Sequence, residues 1–547
     1  MYHFEEEIAK GSYGRVLEVS REGQSYAIKE FIVGDRKRSI LGAVHLKEVD
    51  ALKRCRHPFI LQPLAITYTC PYYGRKMSDM TDEIFVVMPL AIDSCFEFKR
   101  RDECTVPIAK RFMLQITHAL AYLHAHKMCY RDVKSANVLV YKDAKYSDAY
   151  NAILCDLGMC KPLTNGHINS EHVGTAAYKA PEVMLSPGIY TYSMDVWSLG
   201  VLFIEMINIH IPFNRQPDNK GASRMENTEV LTKIFKHLGS PDMSTFNKMT
   251  EGGNTIISYA KISKWKPKPI ASLFDASAPK VDEFEEISEG LPNFGTLDEF
   301  YDLLQKMLAI DPDCRISMAE VLRHPFFSQV PTDGDSPMWR GLCNPPLIEP
   351  KPHILKKIAN DEKRNIGLDV ISQISVDHCN LGYRIMFLGL DLYDRCLLAL
   401  EEMSVPQERT TDDTFLESES GQFLSTTSVQ KGESERGQKI VKVDETDVGL
   451  LAYTCCYIAC KYFMDEITPD IRMLFPKTSC YEDSRVIQME KTILMELVKW
   501  ETYRPTVYDL LDQKTNPATL FVLLKKKTNV YGHSIAKIAS QFAKLAQ

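Results

Sequence analysis

Three side chains that suit phosphoryl transfer stand at fixed offsets within the run Tyr130-Arg131-Asp132-Val133-Lys134-Ser135-Ala136-Asn137. A second aspartate follows a short hairpin later, in Asp156-Leu157-Gly158. A protein that transfers a phosphoryl group mainly positions groups and neutralises charge. Asp132 is therefore expected to accept or orient the proton of an attacking hydroxyl, and Lys134 is expected to lie beside the transferring phosphate.

Two oxygen-bearing side chains complete this predicted site. Mg²⁺ prefers oxygen ligands, so Asn137 and Asp156 are predicted to hold two Mg²⁺ ions. The two segments resemble the H-R-D-x-x-x-x-N catalytic loop and the D-F-G motif of eukaryotic protein kinases. Tyr130 replaces the family's His and Leu157 replaces its Phe, and both family residues pack rather than react. Two such short motifs can also arise by chance, so the rest of the chain has to show whether the resemblance to protein kinases is real.

The composition is that of a globular protein with more than one domain. The 547 residues are too many for one core, and 45% hydrophobic with 25% charged residues are ordinary values. The net charge of −7 argues against a nucleic-acid binder and against a membrane-surface protein. The 15 cysteines include no C-x-x-C pair, which suits a reducing compartment. Three of them, in an apolar helical run, are predicted to pack in a core: Cys455, Cys456 and Cys460.

No targeting or membrane segment is predicted. The amino terminus lacks a basic region followed by an apolar run, so no signal peptide is expected. No stretch approaches about 18 uninterrupted apolar residues, so no transmembrane helix is expected. The protein is therefore expected to be soluble, in the cytoplasm or nucleus, not secreted, and without a nucleic-acid or membrane partner.

Motifs before the catalytic run resemble the nucleotide-binding half of the kinase family. The G-x-G-x-x-G-x-V loop is matched by Ile8-Ala9-Lys10-Gly11-Ser12-Tyr13-Gly14-Arg15-Val16, with Ala9 in place of the first Gly. The V-A-I-K strand is matched by Tyr26-Ala27-Ile28-Lys29, whose lysine would bind the α- and β-phosphates and pair with Glu48. Residues 70–82, polar and containing Gly and Pro, are predicted to form a hairpin loop. By resemblance, ATP would be bound by Ile8, Gly11, Gly14, Val16, Ala27, Lys29, Glu48, Met88, Leu90, Leu139 and Asp156.

Later motifs resemble the cyclin-dependent kinases in particular. Residues 231–241 match the L-x-x-I-F-x-x-L-G-T-P insert of that group. In Ala180-Pro181-Glu182, which matches the family's A-P-E, the glutamate would form an ion pair with Arg315. Gly174 and Lys179 replace the Val and Arg that shape a pocket preferring proline after the acceptor hydroxyl. Proline-directed specificity therefore does not carry over.

The resemblance also implies regulatory phosphorylation. Ser170 falls where cyclin-dependent kinases carry their activating phosphothreonine, the alternative being a solvated loop serine. Its phosphate would be received by three cations, Lys47, Arg131 and Lys161. Ser12 and Tyr13 stand at the place of the family's inhibitory Thr-Tyr pair, where a phosphate would repel those of ATP. The catalytic residues that the resemblance implies are Asp132, Lys134, Asn137 and Thr175.

The carboxy-terminal part is predicted to be mostly helical. Residues 329–352 read as a Pro/Gly-rich linker, and residues 404–440, poor in large apolar side chains, are expected to be disordered. The nearly all-apolar run Val448–Phe463 predicts a central helix. Three cyclin-box motifs are matched in order: N-Y-I-D-R-F-L, I-A-S-K-Y-E-E and Q-M-E-x-x-I-L, at residues 392–397, 458–466 and 488–494. By that resemblance Lys461 and Glu490 would contact the kinase, the alternative being an ordinary surface ion pair.

These patterns together predict an α+β bilobal protein kinase fold followed by an all-α cyclin-box domain. The kinase would occupy residues 1–328, with an N-lobe of 1–90 and a C-lobe of 91–328, and the cyclin-like domain residues 353–547. The expected function is ATP- and Mg²⁺-dependent phosphorylation of Ser or Thr in protein substrates, activated by cyclin docking within one chain or between two. Such a fusion is unusual for a cellular genome and suggests a large DNA virus as its source. Two alternatives stay open: a catalytically dead pseudokinase–cyclin scaffold, and an active kinase whose cyclin box only recruits substrates.

Overall fold

The computed structural model describes two compact units. One comprises Met1–Lys351 and Lys461–Asp470, the other Pro352–Cys460 and Ile471–Gln547. The residues described are 1–11, 14–31, 43–67, 70–73, 84–143, 150–163, 173–213, 227–251, 255–274, 279–290, 294–328, 370–371, 388–397, 399, 448–463 and 483–494. Several predictions lie outside these residues: the phosphosites Ser12, Tyr13 and Ser170, the linker 329–352 and the insert 404–440. Within the described part, no helix is long and apolar enough to cross a membrane.

The amino-terminal part of the first unit is a six-stranded sheet in the order β4-β6-β3-β2-β1-β5. Its strands are β1 (Tyr2–Gly11), β2 (Gly14–Arg21), β3 (Gln24–Phe31), β4 (Ala65–Thr67), β5 (Tyr72–Tyr73) and β6 (Phe85–Pro89). All neighbours are antiparallel except that β5 runs parallel to β1. The two-residue turn Glu22-Gly23 joins β2 to β3 with positive φ at both positions, 55° and 78°, which is typical of a type I′ hairpin.

Strand alternation gives this sheet two different faces. The outer face is apolar and buried, and it consists of Leu17, Val19, Ile28, Phe85 and Val87. The inner face carries the predicted nucleotide-binding residues of the same strands, among them Val16, Ala27, Lys29 and Met88. Register thus separates a packing face from a face available for chemistry.

The prediction for residues 70–82 was only partly right. β4 and β6 do pair antiparallel, as the strands of a hairpin would. Residues 70–73, called the strap below, nevertheless cross the outer face: Cys70 and Tyr72 are buried there, and β5 pairs with Tyr2 and His3 on the far edge. Tyr2 N also donates to Pro71 O at 2.8 Å. A polar run with Gly and Pro predicts a loop, but Cys70 and Tyr72 give this one an apolar surface to bury.

The rest of the described part of the first unit is mainly helical, with short strands next to the predicted catalytic loop and Asp156. Its helices are α1 (Ala43–Arg54), α2 (Cys95–Phe98), α3 (Val106–Ala125), α4 (Pro181–Leu185), α5 (Ser193–Asn208), α6 (Asn227–Leu238), α7 (Met243–Thr250), α8 (Pro279–Gly290), α9 (Leu297–Met307), α10 (Met318–Leu322) and α11 (Pro325–Ser328). Its remaining strands are β7 (Asp93–Ser94), β8 (Met128–Cys129), β9 (Val138–Lys142), β10 (Tyr150–Leu154) and β11 (Lys161–Pro162). Every residue of α5 from Met194 to Asn208 is buried, so this helix is the centre of the core. The α+β arrangement fits the bilobal kinase fold that the motifs predict.

All described residues of the second unit are helical. They include residues 388–397, the part of α12 (Val448–Phe463) that ends at Cys460, and α13 (Asp483–Thr492). The predicted central helix is confirmed with the predicted bounds, and its three cysteines are buried as expected. A Cβ at Gly389 would lie 2.9 Å from Cys456 Sγ, so the first segment packs on α12 at a distance that only glycine allows.

Candidate active site

The predicted catalytic side chains meet in one hydrogen-bonded cluster. Lys134 Nζ lies 2.7 Å from Asp132 Oδ2 and donates to Thr175 Oγ1 at 3.1 Å. Thr175 Oγ1 in turn donates to Asp132 Oδ1 at 2.9 Å. Asn137 Nδ2 donates to the backbone oxygen and to Oδ2 of Asp132, at 3.0 Å each. Each oxygen of the Asp132 carboxylate therefore has a fixed donor, which holds it in one orientation.

The β9–β10 hairpin brings the second aspartate to this loop. Leu154 lies opposite Val138, and Cys155 N extends the pairing by donating to Asn137 O at 2.9 Å. Asp156 follows directly, in the left-handed conformation with φ 53°. Strand register, rather than sequence proximity, places Asp156 beside Asn137.

A buried carboxylate on α5 anchors the catalytic loop from behind. Asp195 accepts the backbone N–H groups of Tyr130 and Arg131, each at 2.8 Å. His124 Nε2 and Cys129 Sγ lie 2.9 and 3.2 Å from Asp195 Oδ2. Burial alone would raise the pKa of Asp195, but the hydrogen bonds from His124 and the backbone lower it below its ordinary value. Burial raises the pKa of the Cys129 thiol well above its usual range, so this trio suits an anchor of hydrogen bonds better than a metal site.

The two departures from the family motifs are accommodated by packing. Tyr130 and Leu157 are both fully buried. The Tyr130 hydroxyl donates to the carbonyl oxygen of Cys155, the residue before Asp156. The Tyr130 side chain therefore ties the catalytic loop to the segment that carries Asp156.

An ion pair links the sheet to α1. Lys29 Nζ lies 2.6 and 2.7 Å from the two oxygens of Glu48, and 3.5 Å from Asp156 Oδ1. Burial alone would lower the pKa of Lys29, but the carboxylates of Glu48 and Asp156 outweigh it and raise that pKa. Burial raises the pKa of Glu48 to about 7, because the charge of Lys29 offsets only part of the desolvation and Asp156 adds to it. Lys29 is therefore the member of the pair that stays charged, and Glu48 is the member that titrates.

The glycine-rich hairpin is formed by the ends of β1 and β2, where Gly11 pairs with Gly14. A Cβ at Gly14 would lie 2.6 Å from the backbone oxygen of Glu30, closer than side chains come to backbone. Glycine is thus required here by the neighbouring strand, in addition to any need to approach a ligand.

The other predicted nucleotide-binding residues are distributed around the inner face. Ala27 and Met88 lie opposite each other in β3 and β6, and both are buried. Leu90 follows β6, and Leu139 lies in β9, whereas Ile8 on β1 is 48% exposed. Just before Leu90, the carbonyl oxygen of Pro89 accepts a hydrogen bond from the Tyr141 hydroxyl at 3.1 Å, a contact that the sequence did not indicate.

The three predicted phosphate receptors are all buried. Lys47, Arg131 and Lys161 are 1%, 1% and 6% exposed. Arg131 donates to the carbonyl oxygen of Met159 at 2.6 Å and to the Tyr190 hydroxyl at 3.2 Å. Their binding to a phosphate on Ser170 stays a prediction, since that serine lies outside the described residues.

A second buried network supports the site and was missed by the sequence reasoning. Glu205 of α5 pairs with the buried ammonium of Lys99. It also accepts the Ser135 hydroxyl of the catalytic loop at 2.8 Å and the Tyr178 hydroxyl at 2.5 Å. The signal available was a glutamate within the otherwise apolar run of residues 199–207, because a buried charge has to be paired. The predicted pair of Glu182 with Arg315 is present, with two contacts of 2.5 and 2.6 Å.

The chemistry of the donors suits a nucleotide with a divalent cation. Both recorded amide contacts of Asn137 come from Nδ2, which leaves Oδ1 as its oxygen donor for a cation. The Asp156 side chain is 44% exposed, and the Lys29 ammonium lies 3.5 Å from it. Oxygen donors beside a fixed ammonium are the groups that Mg²⁺ and phosphate oxygens need. The oxygens of Asn137 and Asp156 are therefore suited to coordinate Mg²⁺, and the ammonium of Lys29 is suited to bind a phosphate.

Comparison with known proteins agrees with this geometry. The sequence profile described as "Protein kinase domain" matches residues 2–327. Protein kinase gsk3 of Schizosaccharomyces pombe is 28% identical to this chain over 334 residues, which span 59% of this chain and 73% of that protein. The matched region contains the whole cluster around Asp132 and the ion pair of Lys29 with Glu48.

Proposed function

Because the chain belongs to the protein kinase domain family, we propose that it is an active kinase that transfers the γ-phosphate of ATP to Ser or Thr of protein substrates. The observation that carries this proposal is that both halves of a phosphoryl-transfer site are assembled at once. The cluster of Asp132, Lys134 and Thr175 is closed, and the pair of Lys29 with Glu48 is formed. In protein kinases the lysine–glutamate ion pair has to form for activity, and the aspartate of the catalytic loop accepts the proton of the substrate hydroxyl.

Each side chain then has a definite task. Asp132 Oδ1 or Oδ2 accepts the proton of the substrate hydroxyl, and its hydrogen bonds hold it ready for that transfer. Lys134 places positive charge beside the transferring group, and Lys29 binds the nucleotide phosphates. Bound Mg²⁺, held by Asn137 and Asp156, would neutralise phosphate charge. Catalysis by this site rests on positioning and electrostatics rather than on a covalent intermediate.

The pKa of Glu48 predicts how activity depends on pH. Glu48 titrates at about 7 in the folded chain, above its ordinary value. As the pH falls through about 7, Glu48 becomes protonated while Lys29 stays charged, and the ion pair is lost. We expect kcat/KM for ATP to fall on the acid side of about pH 7. For Glu48→Gln, the plot of kcat/KM against pH should lack this fall on the acid side. A wild-type kcat/KM that stays constant from about pH 6 to 8 would show that Glu48 does not control activity.

The finer proposal is a kinase of cyclin-dependent type that carries its own cyclin-like activator in residues 353–547. It is supported by the order of the three cyclin-box motifs and by helix α12, which contains residues 458–463 of the second motif. Glu490 is fully buried, unlike a surface ion-pair residue. Lys461 and Glu490 are proposed to contact the kinase. Docking within one chain would be favoured by an effective concentration of order millimolar.

Removing the residues after Val330 tests this activation. A chain ending at Val330 is expected to lose at least about 90% of the phosphate transfer of the full-length protein, because the Lys29–Glu48 pair would no longer be held closed. Restoration by added residues 353–547 would show that activation also works between molecules. Equal activity of the two chains on a generic peptide would contradict activation and favour substrate recruitment instead.

A further inference from the structure

The strap gives the sheet a covered outer face that reaches as far as the glycine-rich hairpin. Its Cys70 and Tyr72 pack on the apolar cluster of the outer face, with Tyr2 and Tyr26 at its margin. The ring of Tyr72 lies edge-on to Phe85, with centroids 6.2 Å apart. This strap is tied to β1 by the β5 pairing, so it is fixed at both the face and the edge of the sheet.

One polar group on this face joins the strap to the hairpin. Glu30 is only 3% exposed, and its Oε2 accepts the Tyr72 hydroxyl at 3.1 Å. The same Oε2 lies 2.9 Å from both Nε and a terminal nitrogen of Arg15. Arg15 stands between Gly14 and Val16, opposite Glu30 in the strand register. The chain of contacts therefore runs from the strap, through a buried carboxylate, to the strand that carries the glycine-rich turn.

We propose that Tyr72, Glu30 and Arg15 are positioning residues that hold the glycine-rich hairpin in the position needed to bind a nucleotide. They lie on the outer face, and the nucleotide-binding residues Val16, Ala27 and Lys29 lie on the inner face, so they act through β2 without touching the ligand. The backbone oxygen of Glu30 leaves no room for a side chain at Gly14, and the Glu30 carboxylate binds Arg15, the next residue of β2. The inference rests on the proposed function only in taking the ligand to be ATP.

The test is the effect of single hydroxyl and charge changes on nucleotide affinity. Tyr72→Phe removes one hydroxyl and keeps the buried ring, and we expect it to raise the KM for ATP about three- to tenfold while kcat changes less than about twofold. Glu30→Ala should weaken the binding of ATP more than Tyr72→Phe does. Glu30→Gln keeps a hydrogen-bond acceptor, so it should bind ATP more tightly than Glu30→Ala. Calorimetric affinity for a non-hydrolysable ATP analogue should follow the same order, and it can be measured even if the chain transfers no phosphate.

Tyr26→Phe is the matched control. Tyr26 lies on the same face, but its hydroxyl donates to Gln24 Oε1 at 2.8 Å, at the end of β3 remote from the glycine-rich hairpin. The Tyr26→Phe variant should bind nucleotide with the wild-type affinity. The proposal is overturned if Tyr72→Phe and Tyr26→Phe have the same affinity, or if Tyr72→Phe lowers only the melting temperature and leaves nucleotide affinity unchanged.

Discussion

Asp132→Asn is expected to lower kcat for phosphate transfer by about 10²–10⁴-fold, the contribution of a positioned proton acceptor. The amide keeps the size and the hydrogen-bonding shape of the carboxylate but cannot take a proton from a hydroxyl. The amide oxygen can still accept from Lys134, and the amide NH2 can donate to Thr175 Oγ1, so that both neighbours keep a partner. The variant should therefore fold and bind nucleotide while failing to turn over. Steady-state transfer of labelled phosphate to a protein substrate measures the loss.

The control for this variant is Asp302→Asn. Asp302 is 53% exposed on α9 and pairs with Lys306, away from the site. The Asp302→Asn variant should transfer phosphate at the wild-type rate. If Asp132→Asn retained wild-type kcat, the role assigned to Asp132 would be wrong, whatever else the chain does.

Glu205→Ala is expected to destabilise the first unit by about 3–5 kcal/mol, the largest effect on folding that we predict. The side chains of Lys99 and Glu205 are 1% and 0% exposed, so the variant leaves a buried ammonium without its counter-charge. The hydroxyls of Ser135 and Tyr178 lose an acceptor at the same time. Denaturant unfolding followed by intrinsic fluorescence measures the shift of the midpoint.

A double variant separates charge burial from packing. Lys99→Met with Glu205→Leu removes both charges and keeps apolar volume, so most of the lost stability should return, as replacement of buried ion pairs by apolar residues often allows. If Glu205→Ala cost less than about 1 kcal/mol, the buried pair would not be the support of the catalytic loop that its geometry suggests.

The groups around Asp132 could be found from the sequence because they stand at fixed short offsets. Asn137 and Lys134 share one loop with Asp132, and Asp156 follows one hairpin later, so local chain geometry limits where they can go. Helix α12 was found with the same bounds, since 16 residues that are nearly all apolar leave little choice but a buried helix.

The contacts that sequence reasoning missed join residues far apart in the chain. Lys99 and Glu205 are separated by 106 positions, and Tyr72 and Glu30 by 42, so no periodicity or motif links them. Their pairing is a consequence of tertiary packing, which brings a buried charge to groups that can pair with it. The burial of the strap was missed for a related reason, since the polar residues around it outweighed Cys70 and Tyr72, the two side chains that anchor it.

The most direct test of the proposed function is phosphate transfer from ATP·Mg²⁺ by the full-length chain to a generic basic protein, with Asp132→Asn measured beside it. We predict label on serine or threonine of the substrate with the wild-type chain and almost none with the variant. A wild-type chain that stays silent even after phosphorylation at Ser170, although it binds nucleotide, would contradict the kinase assignment and identify the protein as a scaffold.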